Sequence, residues 1–379
     1  MASVITLPLP SGLQDQLRPL LPIAVSMALP AANLVFLATG PHAWDVALIW
    51  TLPVWLLIYA DLKGPAAKSE PMDSAGRWFD PSLYLLFCLQ LANILLMLLM
   101  ASRLSWSSWT DFLTSACNIA AMRIMTGTNS CCSGIALAHE LIHRRAVHRR
   151  WMGRILLWTV CYDHFMVEHL LGHHRRASTP DDPATARFGE SYRAFWRRSL
   201  PQQFSSAWRL ESRRIRCLDA GLWHHRVLQG LLIQAVLLVT IAYGFGLVAL
   251  LMFLYQALVA VHLLETVNYF QHWGLTRGGR YFSGADAWST DAWMTTHAFV
   301  GLSRHADHHA HATKPFQQLR FHTDSPRLPH GYFVMAVTVK LFNKHYRRMA
   351  EQELRRRALG PHRVDGACLI DASSSNFAA

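Results

Sequence analysis

Residues 228–264 read LQGLLIQAVLLVTIAYGFGLVALLMFLYQALVAVHLL. A helix crosses the hydrocarbon of a bilayer with about twenty apolar residues, so this run is too long for one crossing. The AYGFG stretch at 242–246 supplies a break. Glycine there weakens the helix and allows backbone turns closed to other residues. The reading is a tight hairpin of two spans, 228–243 and 246–266.

Working outward, four further apolar stretches of similar length lie at 20–39, 43–60, 81–101 and 114–137. The fourth is rich in Ala, Ser, Thr and Gly and carries Arg123. Small residues suit close packing between membrane helices, and a charge at that depth belongs on an interior face. Composition agrees: 52% of the 379 residues are hydrophobic and only 16% are charged, against about 25% charged in ordinary soluble domains. The expected fold is an all-α integral membrane protein with six transmembrane helices and a histidine-rich cap. One unit covers 1–379: a leader at 1–19, four spans within 20–138, a loop at 139–227, two spans within 228–266, histidine motifs in 267–345 and a basic tail at 346–379.

Six spans place the loops at 40–42, 102–113 and 244–245 on one side, where Arg103 is the sole basic residue. The opposite side receives HRRAVHRR (143–150), the Arg-rich region 174–226 and the basic tail. By the positive-inside rule both termini and every histidine cluster face the cytoplasm. The net charge of +12 is read as this topology signal, with no nucleic-acid partner expected. No basic cluster precedes the first span, so it reads as a retained helix and not a cleaved signal. Seven cysteines, at 88, 117, 131, 132, 161, 217 and 368, contain no C-x-x-C pair. That supports neither a disulfide framework nor a fused rubredoxin or zinc ribbon, and it fits a reducing, cytosol-facing setting.

HELIH (139–143) alone matches a zinc-protease signature. The chain also holds EHLLGHH (168–174), NYFQHWGL (268–275) and RHADHHAH (304–311). His139 and His143, His169 and His173 with adjacent His174, and His305, His308 and His309 all recur at helical i, i+3 or i+4 spacing. His272 adds a ninth imidazole at the end of the last span. A tetrahedral zinc takes three or four ligands, so a protease leaves seven of the nine unused. Nine point to two metals, and imidazole suits zinc, copper, iron and nickel. Glu140, Asp163, Glu168, Glu265 and Asp307 lie beside these histidines in the sequence. Metal-bound imidazoles pass their other N–H to a carboxylate or carbonyl, and these five acids are the candidates for it.

With these four motifs the chain resembles the integral-membrane di-iron oxygenases and desaturases, and most closely the membrane alkane 1-monooxygenase family. The stretches YDHFMVEHLLGHHRRASTPDDPATARFGES (162–191) and DSPRLPHGY (324–332) look like the family as well. The resemblance implies iron ligation by His139, His143, His169, His173, His174, His272, His305, His308 and His309. It further implies two iron ions and O2 as co-substrate. Electrons would come from a separate rubredoxin or ferredoxin with its NAD(P)H reductase, and the location would be the bacterial inner membrane. One motif departs: alkane hydroxylases usually have Glu where this chain has Gln271, and Tyr where it has Trp273. NYFQH looks more like the xylene-monooxygenase branch.

The implied activity is hydroxylation of the terminal carbon of a medium-chain alkane or alkyl chain. The alternatives are a terminal-alkene-forming fatty acid decarboxylase, a desaturase or a xylene-type methyl hydroxylase. Any of these needs a dry apolar channel from the bilayer to the metals. Trp50 and Trp55, on the second span, are bulky enough to plug such a channel, and Arg123 is a candidate partner for a substrate carboxylate.

Overall fold

The computed structural model describes residues 20–67 and 76–363. The leader at 1–19 and the end of the basic tail, including Cys368, lie outside the described residues. The described part is helical, with two isolated β-bridges (Ala66 to Ala292, Ser289 to Arg327) and no strand. Four helices are long and apolar enough to cross a membrane: α1 (Leu20–Thr39), α2 (Trp44–Lys63), α3 (Gly76–Ser102, apolar from Trp78) and the 47-residue α8 (Arg226–His272).

A straight helix of that length would span about 70 Å. It does not run straight, because Gly246 adopts φ +83° inside it. Arg154 donates to the carbonyl of Arg226 and grips Asp163 through Nε and Nη2, while Tyr162 reaches Glu265 at the other end of α8. Two ends that meet neighbouring residues 162 and 163 require the chain to double back at the glycine. The break thus falls within the AYGFG stretch.

Helix α4 (Trp109–Asn129) passes through a π-helical turn, Ser130–Ile135, into Ala136–Ile142. It is not among the four apolar spans, and the reason lies in its packing. Several of its polar residues face other helices. Thr126 donates to Asn33 of α1, whose amide donates to Asn93 of α3 at 2.8 Å. Asn129 donates to Gln90 of α3 at 2.8 Å, and Gln90 donates to Ser130. Each such bond between membrane helices contributes about 0.6 kcal/mol. A hydropathy average counts these side chains as wet although all of them are buried.

The cap begins with α5 (Val147–Trp158) and α6, a short helix His164–Val167 that opens into a π-helical turn, Glu168–His173, and closes as His174–Arg176. The basic helix α7 (Tyr192–Cys217) lies across α6 and the end of α8. Four shorter helices complete it: α9 (Trp293–Ala298), α10 (His305–Ala310), α11 (Tyr332–Leu341) and α12 (Asn343–Arg356).

Glu211 of α7 clamps the start of α8, accepting from the backbone N–H and guanidinium of Arg226 and from Arg214. Burial pushes its carboxyl up, but these donors outweigh that and hold it at about 2. A depressed carboxyl contributes stability above its unfolded pKa and loses it as pH falls from about 4.5 towards 2. Both arginines are about a third exposed, at 31% and 30%, so screening limits the effect to roughly 1 kcal/mol. Thermal melts of Glu211→Gln should therefore lose part of the parent's acid sensitivity in that window. Parallel melting curves would contradict the clamp.

Candidate metal centre

Nine of the ten histidines in the four motifs, all but His311, come from four elements and end in two adjoining groups. His139, His143, His169, His174 and His308 form one; His173, His272, His305 and His309 form the other. Within each group the ligand atoms all lie within 4.8 Å of one another. Neighbouring residues divide between the groups. His169 and His173, four apart, fall in different groups because the π-helical turn widens the spacing, so the single face expected from α-helical geometry does not hold. On α10, His305 and His309 serve one group and His308 the other.

The Nε2 atoms face one another. His143 and His169, His169 and His174, His272 and His305, and His305 and His309 each sit 3.0 Å apart, and His174 and His308 sit 3.2 Å apart. The Nε2 atoms of His139 and His173 are buried with no hydrogen-bond partner. His173 Nδ1 is 2.9 Å from Asp182 Oδ2. A carboxylate only accepts, so Nδ1 carries the proton and the Nε2 lone pair points inward. Ser178 donates to the Asp286 carbonyl, which leaves its oxygen to accept from His272 Nδ1 at 3.2 Å, with the same result at Nε2.

Buried lone pairs converging in this way call for a cation. Two nitrogens about 2.1 Å from one ion at a right angle stand about 3.0 Å apart, whereas tetrahedral angles give about 3.4 Å. Spacings of 3.0–3.2 Å are of the size that two nitrogens on one ion require, so the donor set fits a cation in each group. Burial, reinforced by neighbouring imidazoles, pushes His143 and His272 down to about 3 and holds His139, His169, His174, His305, His308 and His309 well below the usual histidine range. They are neutral at pH 7, the form that ligates.

The five neighbouring acids hold the frame instead of the imidazoles. Glu140 pairs with Arg144 at 2.6 Å, Asp163 with Arg154, and Glu168 with Arg176 at 2.7 Å. Glu265 accepts from Tyr162, Ser199, Gln203 and Asn268. Asp307 binds Lys314, His311 and His322, none of them a member of either group. Glu140, Glu168 and Asp307 each sit next to a clustered histidine in sequence, and on a helix i and i+1 point apart; Asp163 and Glu265 lie six and seven residues from the clustered histidine that follows each of them. Among the described residues, the acid that does meet a clustered imidazole is Asp182, nine residues beyond His173 in a Pro-flanked loop. Its only sequence signal was its place in that loop.

An apolar cavity of about 250 Å³ lies between α2, α4, α8, α9 and α11, with Cys132, Val267 and Phe299 towards the histidines and Val54, Thr128 and Lys340 away from them. No histidine borders it. Between it and His272 stands Gln271, which donates to Tyr332 Oη at 2.7 Å while Tyr332 donates to the Leu302 carbonyl. An ionised glutamate could not donate there, which accounts for the amide at this position. The three proposed channel residues are elsewhere. Trp50 packs on His42 and Phe36 at the far end of α1, Trp55 is 54% exposed, and exposed Arg123 lies 5.9 Å from the ring of Tyr255.

Comparison with known proteins places this architecture. The fatty acid desaturase family model matches residues 113–338, more than half of the chain and all nine histidines. The chain belongs to the fatty acid desaturase family. Within it, the chain is 42% identical over 214 residues to an alkane 1-monooxygenase 1 of Pseudomonas aeruginosa, covering 54% of this chain and 56% of the relative. It is 37% identical over 223 residues to an alkane 1-monooxygenase of Ectopseudomonas oleovorans (55% and 56%). A xylene/toluene monooxygenase hydroxylase component of Pseudomonas putida matches at 24% over 198 residues (52% and 54%). The matches span about half the length of these relatives.

Proposed function

We propose that the chain is an oxygen-dependent, membrane-bound di-iron monooxygenase that hydroxylates the terminal carbon of a medium-chain alkyl substrate. The observation that carries this is the pair of buried imidazole groups, five and four strong, with nitrogens turned inward. Iron in those groups would supply the activation of O2 that a saturated carbon requires. The protein's own residues do the rest. Nine imidazoles set the ligand field, Asp182 and Ser178 fix two of the tautomers, and the apolar helices keep water from the centre.

In this reading the chain crosses the bacterial inner membrane six times, α4 and both arms of α8 included, with both termini and the cap in the cytoplasm. The basic faces of α7 and α12 support docking of an acidic rubredoxin or ferredoxin served by an NAD(P)H reductase. Metal analysis of purified protein should give about two irons per chain. Feeding decane and dodecanoate under labelled oxygen should give products that retain every carbon and carry one labelled oxygen atom. Zinc in place of iron would end the proposal. An alkene one carbon shorter, with released carbon dioxide, would reassign the enzyme as a decarboxylase.

The cavity supports a further expectation. Val54 and Ile58 border it, and one methylene of fit is worth about 1–3 kcal/mol. Val54→Phe should shift the preferred chain to shorter lengths by roughly tenfold in relative turnover, while Trp55→Ser leaves the product profile unchanged. Chromatography of products from a chain-length series reads both.

A further inference from the structure

The cavity is apolar along its length except at one end. Lys340, on the last turn of α11, borders it there beside Cys131 and Leu341. Lys340 makes no ion pair with any described carboxylate. No described carboxylate acts on it; the groups that do are the Cys131 thiol and the Arg123 guanidinium. An ammonium bordering an apolar cavity, with a guanidinium acting on it and no described carboxylate to pair with, is a receptor for an anion.

Three of the elements around the cavity give it a direction. Tyr332 opens α11 and bonds Gln271, next to His272, whereas Lys340 lies two helical turns further on. Along α8, Leu263 and Val267 step towards His272; along α4, Thr128 and Cys132 step towards His139. The cationic end is therefore the end remote from the histidines.

We propose that Lys340 binds the carboxylate of a single-chain fatty acid, whose tail fills the cavity and whose terminal methyl points towards the histidine groups. A cavity of about 250 Å³ encloses one chain and not the two of a phospholipid. Bound this way, the substrate offers its far carbon for oxidation, and its carboxyl carbon stays at the distal end. The assignment rests on the monooxygenase reading for its consequence, but the binding itself needs neither metal nor electrons. It also moves the carboxylate partner from Arg123 to Lys340.

Equilibrium displacement of a fluorescent fatty acid from the purified full-length chain in nanodiscs tests it, with no electron donor present. Dodecanoate should bind the parent at least tenfold more tightly than dodecanol of the same chain length, and Lys340→Met should erase that preference while leaving dodecanol unchanged. Lys340→Arg should keep it within threefold. Equal affinities of the parent for acid and alcohol would overturn the proposal, and this comparison needs no variant. Displacement by phosphatidylglycerol as effective as by dodecanoate would overturn it too, by making Lys340 a lipid headgroup contact. Loss of oxidation with the binding preference intact would count against the monooxygenase reading alone.

Discussion

Exchange of His272 for alanine is expected to abolish turnover and to lower the iron content from about two to about one per chain. His272 belongs to the group of four, so its loss leaves three imidazoles for one ion. Removing a residue that merely supports a ligand costs about 10–100-fold, and removing the ligand should exceed that range. His143→Ala takes one from the group of five and should retain more metal. The contrast is the informative part. A folded His272→Ala protein with full iron content and activity would refute the assignment of that group, and circular dichroism would show whether the fold survived.

The second large effect is expected at Asp182. Burial pushes its carboxyl up, yet His173 and Thr185 outweigh this and hold it below the usual carboxylate range. It is fully enclosed and receives His173 Nδ1 and the Thr185 hydroxyl, at 2.9 and 2.7 Å. Asp182→Asn keeps the shape and removes the charge that makes the imidazole more basic. Metal affinity, measured by competition with a chelator, should fall about 10–100-fold. Glu168→Gln serves as the control, since Glu168 pairs with Arg176 at 2.7 Å and makes no hydrogen bond to a clustered imidazole. Equal losses in the two variants would show that Asp182 acts on the fold and not through His173.

Much of this was legible from residue types and spacing. Thirty-seven uninterrupted, mostly apolar residues with two glycines near the middle announce a hairpin, and the break sits at Gly246. Nine histidines at helical intervals announce metals. Their division into groups was not legible, because it depends on a widened turn at Glu168–His173 and on how α10 docks, both tertiary matters. The five acids were misread for a related reason. Adjacency in a chain says little about direction, and Glu265 serves four side chains across helices and no imidazole. Polar α4 is not among the four apolar helices, and its Asn129 and Thr126 are satisfied by other helices. The channel residues failed because bulk and position along a span do not tell which face meets the cavity: Val54 and Ile58 do, and their neighbour Trp55 does not.

The widened turn at Ser130–Ile135 carries a lesson for the ancestry of the chain. Each residue of a regular helix advances its successors by about 100°, so shortening that turn by one would swing HELIH away from its partners while altering no ligand. Length in this stretch is then as tightly constrained as identity elsewhere. Related genes should tolerate replacement of its side chains, Cys131 and Cys132 among them, far better than the gain or loss of a single codon.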